Sequence, residues 1–124
     1  MALKFLDFDF SESVDGVGTL EAMASVDERH WTALQDELQQ VLRWCSHEFA
    51  GVRGPLDEDG DWDFDLQGTR ERVTPLQWDF DTDQGSLSCE DGHASHERLS
   101  VTLTLSGSPA FCRDFAERFG LSLP

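Results

Sequence analysis

Cys89, Asp91, His93 and His96 fall within the stretch CEDGHASH and are the side chains of this sequence best suited to hold a metal ion. Thiolate and imidazole suit zinc, and a carboxylate can add an oxygen. A metal held there would activate a bound water, and hydrolysis would follow. The spacing lacks the paired Cys-x-x-Cys of structural zinc sites, so a flexible polar loop with water-facing histidines is the simpler account.

A second candidate is the acidic run DEDGDWDFD, which spans Asp57 to Asp65. An EF-hand loop needs acids at its first, third and fifth positions, glycine at the sixth and an acid at the twelfth. Counted from Asp57, glycine falls at the fourth position and Trp62 at the sixth. Asp57, Asp59 and Asp61 form at most a non-standard oxygen cluster, and turn polarity accounts for them.

Nucleophilic chemistry finds less support. Neither His30 nor His47 has an adjacent Ser or Cys nucleophile with an evident acidic orienter; His30 falls in the first turn of a helix, and His47 near its end, where an imidazolium suits the dipole. Cys45 and Cys112 fall on apolar helical stripes and read as small buried hydrophobes, which leaves Cys89 as the exposed thiol. The DGVG of Asp15–Gly18 lacks the third glycine and the lysine of a phosphate loop. Carboxylate pairs are so numerous that none singles itself out as an acid–base pair. The sequence calls for no cofactor and reads as a binding protein sooner than an enzyme.

Charge narrows the partner. The 124 residues carry nine basic and 25 acidic side chains, a formal net charge of -16. Such a chain repels nucleic acid and anionic membrane surfaces, and it attracts basic proteins. No apolar run approaches the roughly 20 residues that span a bilayer. Three scattered cysteines do not make a disulfide scaffold, and MALKFLDFDF has no signal-peptide core. These features predict reduced thiols and a cytoplasmic protein.

The elements that must position these groups follow from periodicity. LKFLDFDF alternates Leu6, Phe8 and Phe10 with Asp7 and Asp9, as a half-buried strand does. TLEAMASV reads as its return. From Asp27 to about Ala50, Trp31, Leu34, Leu38, Val41, Leu42, Cys45 and Phe49 recur every three or four residues, one helical stripe with Asp27 as N-cap. Trp44 lies off that stripe, suited to packing under a loop. DWDFDLQ and PLQWDFD repeat the alternation, and GTRERVT is expected to join them as a hairpin. SLSCEDGHASHE is a polar connection with room for a short strand at its start. RLSVTLTLS is a strong strand, and Ser108, Pro109 and Gly120 bracket a final helix whose stripe is Phe111, Cys112, Phe115, Ala116 and Phe119.

The order β-β-α-β-β-β-α predicts one α+β domain over 1–124: a mainly antiparallel sheet of four or five strands with two helices on one face. Asp7, Asp9, Asp63, Asp65, Asp79 and Asp81 then point to the other face. Strand order decides whether they form one acidic plate or two patches. These six are the candidate binding residues for a basic protein, occluded as by an inhibitor or an immunity-like protein. The alternatives are the metal-dependent hydrolase above, or an assembly protein that pairs through an edge strand in SVTLT. The chain is expected to be a monomer or a weak homodimer joined away from the acidic face.

Overall fold

A computed structural model describes residues 2–123. Six strands and two helices follow in order: β1 (Phe8–Glu12), β2 (Gly18–Asp27), α1 (Trp31–Arg43), β3 (Trp62–Val73), β4 (Leu76–Asp81), β5 (Ser86–Asp91), β6 (His96–Gly107) and α2 (Pro109–Phe119). The main sheet is antiparallel, in the order β1-β2-β6-β3; β4 and β5 pair with each other in a sheet of their own. Both helices cover one face of the main sheet, as the alternation predicts. Among the described residues no helix is long and apolar enough to cross a membrane.

The registers show how alternation becomes a core. Phe10, Leu20, Leu105 and Phe64 stand in one row across the four strands, and Phe8, Ala22, Leu103 and Leu66 in another. Leu20, Ala22, Leu103 and Leu105 in the two central strands are buried, and Leu34, Leu38, Val41 and Cys45 of the first helical segment close over them. Burial of such aliphatic side chains contributes roughly 1.5–3 kcal/mol each.

The helix expected over Asp27–Ala50 is built in three parts. Asp27 ends β2 and caps a 3-10 turn, Glu28–His30; its carboxylate accepts from the Arg29 N–H at 3.1 Å and pairs with that guanidinium at 2.8 Å. The bond from Arg29 holds the Asp27 carboxyl below the usual range. After α1 the helix widens to a π turn, Trp44–Glu48, closed by Phe49 N–H to the Trp44 carbonyl at 3.1 Å. Trp44 packs chiefly against α2, with Phe49 of the following connection beside it. It lies three residues beyond Val41, on the flank of α1 that α2 occupies. There its ring meets Phe115 and Phe119 edge-on at 5.7 and 5.8 Å.

Two glycines seat α2. Gly18 and Gly107 are cross-strand partners, and Gly107 is opposite Trp62 on its other side. A Cβ on Gly107 would lie 2.2 Å from the Phe111 ring, and one on Gly18 would lie 2.4 Å from the Cys112 sulfur. Without those Cβ atoms Phe111 drops onto the sheet and stacks on Trp62, with centroids 5.7 Å apart and planes 4° from parallel. Ser108 caps α2 by accepting from the Phe111 N–H, and Gly120 ends it at φ 70°.

The chain before β1 is not the strand that its alternation predicts from Leu3 onward. Glu37 of α1 competes for its backbone: one carboxylate accepts from Lys4 N–H at 2.5 Å and from Phe5 and Leu6 N–H at 2.8 Å. Three amides turned toward one side chain leave none of the three for a ladder.

One connection differs from expectation. GTRERV is no hairpin loop; it extends β3, and its residues pair with β6 as far as Val73 opposite His96. DWDFDLQ and PLQWDFD therefore never pair with each other. The one glycine of GTRERV, Gly68, pairs with Val101 inside the ladder and makes no turn. The short strand for which SLSCEDGHASHE has room at its start does form: SLSCED is β5, the partner of β4. SVTLT, expected at an edge, lies in β6 and is bonded on both sides. The edges of the main sheet are β1 and β3.

Candidate functional site

The outer face of the main sheet carries Asp9, Glu21, Thr104 and Asp65 in one row. The next row reads Ser11, Thr19, Ser106 and Asp63. Asp9 and Glu21 are like charges directly opposed, an arrangement that costs stability in a sheet. Glu21 belongs to this surface and was not among the candidates, because TLEAMASV places a single acid in an otherwise neutral strand. Asp63 and Asp65 stand on the far edge, two strands away from Glu21. Asp63 is partly neutralised by Arg53, whose Nε lies 3.3 Å away. Asp7 precedes β1 and is exposed.

Asp79 and Asp81 are on neither edge. They ride on the β4–β5 hairpin, which stands clear of the body as an arm with every residue exposed. The hairpin is separated from the main sheet by a bulge. Between the bond from Gly92 N–H to the Pro75 carbonyl and the Val73–His96 pair, Thr74 alone opposes His93, Ala94 and Ser95. Unequal lengths bend the ribbon and interrupt its ladder. The six candidate carboxylates thus divide among the N-terminal segment, two opposite sheet edges and a separate arm. Asp81 also shapes the tip, accepting from Asp83 and Gln84 N–H ahead of Gly85 at φ 65°.

The arm is amphipathic. Gln77 pairs with Glu90, Asp79 with Ser88 and Asp81 with Ser86 on one side. Trp78 pairs with Cys89 and Phe80 with Leu87 on the other, beside Leu76. Those apolar side chains are 52% (Leu76), 63% (Trp78), 56% (Phe80) and 62% (Leu87) exposed. Alternation alone placed Trp78 and Phe80 in the core. What would have distinguished β4 is its partner, since SLSCED has little apolar surface with which to continue a core.

A second feature has no counterpart in the candidate residues. An open groove of about 590 Å³ lies between α1 and β3, with Leu38, Leu42, Trp62, Phe64 and Leu66 among its lining. Arg43, Arg53 and His47 line it too. The Arg53 guanidinium lies over the Phe64 ring, 4.8 Å from its centroid. The groove exists because β3 is an edge strand, so no further strand covers the helix-facing side chains of Phe64 and Leu66.

The candidate metal ligands are not gathered. Cys89 and Asp91 sit in β5, His93 in the bulge and His96 at the start of β6. Asp57 belongs to a short 3-10 turn, Leu56–Glu58; Asp59 is left-handed at φ 68°; Asp61 ties the loop by accepting from Val52 N–H at 2.7 Å. Among the described residues no three His, Cys, Asp or Glu side chains converge as metal ligands. Cys45 and Cys112 are buried and Cys89 is exposed, as their positions predict. Burial pushes the Cys45 thiol up to about 12; burial, then the charge of Glu12, raises that of Cys112. Neither is a nucleophile at neutral pH.

No protein-family model, no curated protein and no solved structure significantly matches this chain. Fold and surface together define a small α+β protein with an acidic sheet face, an amphipathic arm and an apolar groove.

Proposed function

We propose that the protein is a non-catalytic acidic binding protein of the cytoplasm that occludes a basic protein surface, in the manner of an inhibitor or an immunity-like protein. The arm supports this reading most directly. Asp79, Asp81 and Glu90 project from a two-stranded ribbon with all its residues exposed, on a chain of net charge -16. Carboxylates raised on an arm meet a basic partner before the body does, and the summed charge speeds the encounter. Asp63, Asp65, Asp9 and Glu21 extend the same field over the outer sheet face.

Co-purification from the protein's own cell lysate, at low and at moderate salt, is the test. A basic protein should be retained at low salt, and its association rate should fall about tenfold or more as salt rises. Asp63→Asn with Asp79→Asn should weaken retention. Recovery of no basic protein, or retention indifferent to both substitutions, would sink the reading.

A further inference from the structure

We propose that the protein forms a twofold dimer in which the β4–β5 arm of each copy lies in the groove between α1 and β3 of the other. This goes beyond the functional reading, because it uses the apolar side of the arm and leaves the acidic side outward.

The two surfaces are complementary. Leu76, Trp78, Phe80 and Leu87 are each more than half exposed on one side of the arm. A two-stranded ribbon of this length is marginal alone, and contiguous apolar surface of this kind marks an association site. The groove offers an apolar lining in return. It also gathers Arg43 and Arg53, and Asp91, which stands opposite Leu76 on the apolar side of the arm, is the carboxylate that would meet them.

The arm does not fill the groove of its own chain. The groove borders β3 between Trp62 and Leu66, whereas the arm begins at Leu76. At about 3.3 Å per residue, Leu66 and Leu76 are roughly 30 Å apart along the ribbon. A second copy removes that separation. Beyond Trp62, where Arg53 forms a bridge, β3 presents an unpaired edge as far as Val73. Two such edges paired antiparallel about an axis near Arg70 set Phe64 opposite the other copy's Leu76 and close to its Trp78. Trp62, Phe64 and Leu66 share one parity, on the helix-covered side of β3, so this pairing brings each arm to the apolar end of the other copy's edge.

The area suffices only if the exchange is reciprocal. Each arm offers roughly 500 Å² of apolar side chain and each groove a smaller surface, so one arm in one groove would bury only about 600 Å² in total, below a specific interface. Two arms in two grooves bury roughly 1,200 Å², the lower end of the range for specific interfaces. Net repulsion between two chains of charge -16 opposes association. It is screened over about 8 Å at physiological ionic strength, and side-by-side sheets do not bring their acidic faces together.

Cys89, which pairs with Trp78 on the apolar side and is the exposed thiol, gives a direct probe. In the full chain carrying Gln39→Cys, mild oxidation should join Cys89 of one copy to the position-39 thiol in the groove of the other, as read by peptide mapping. Sedimentation of the unmodified protein should show a dimer at tens of micromolar. Trp78→Ser with Phe80→Ser should raise the dissociation constant about tenfold or more while near-ultraviolet dichroism of the buried aromatics shows a folded body. Leu42→Glu in the groove should do the same. A folded monomer at about 200 µM overturns the proposal. So does a dimer unaffected by the arm variant, or one whose disulfides join only Cys89 to Cys89, which would mean that arm packs on arm.

Discussion

At the scale of single residues, the thiols divide by burial. Cys45 lies under α1 with no exposed surface, and its thiol is pushed up to about 12, against about 8.5 for a cysteine in an unfolded chain. The unfolded chain therefore releases this proton first as pH rises. The stabilisation is fully present below about pH 8.5 and is lost progressively as pH climbs through 12. The sequence contains no tyrosine, so cysteines dominate this alkaline range. Urea unfolding should show stability falling above about pH 9, with a shallower fall in Cys45→Ala even though that variant is less stable throughout. A slope unchanged by the substitution would show that Cys45 is not the titrating group. That both helix cysteines are buried follows from their place on the apolar stripes. The role of Glu37 does not, since its three backbone partners lie more than 30 residues earlier in the chain.

At the scale of elements, the two helices and the central strands were legible because their signals are local. Ser108, Pro109 and Gly120 mark α2 at both ends, and the three-and-four spacing from Leu34 to Cys45 fixes which side of the first helical segment is buried. The seat of α2 was not legible, because Gly18 and Gly107 meet only through the pairing of β2 with β6. Gly107→Ala would drive a methyl into the Phe111 ring and separate it from Trp62. It should cost about 1–3 kcal/mol, seen as a lower denaturant midpoint with loss of near-ultraviolet aromatic dichroism. An unchanged midpoint would mean that α2 can lift from the sheet at no cost. The extent of β3 was misread for a related reason. Arg70 and Arg72 look like loop residues, yet Arg70 lies over the Trp31 ring at 5.4 Å and approaches Glu97 at 3.9 Å, so charge there decorates a strand.

At the scale of the whole molecule, charge and topology act together. Twenty-five acids against nine basic residues push the compact state apart, and the pairing of Asp9 with Glu21 places some of that repulsion inside the sheet itself. Screening should therefore stabilise the fold. At fixed protein concentration, Tm should rise by about 5 °C between roughly 10 mM and 0.3 M of a simple salt. A Tm that falls over this range would show that attractive ion pairs, such as Arg53 with Asp63, outweigh the repulsion. By itself the sequence determined the fold class, the caps of α2, the buried stripes and the acidic character, all of which depend on the residue types within a few positions of one another. Only the tertiary structure decided that β3 pairs with β6, that β4 and β5 leave the main sheet, and that a groove opens beside α1. Alternation records which side of a strand is apolar. Whether anything covers that side depends on neighbours brought from elsewhere in the chain, and for Trp78 and Phe80 the chain brings none.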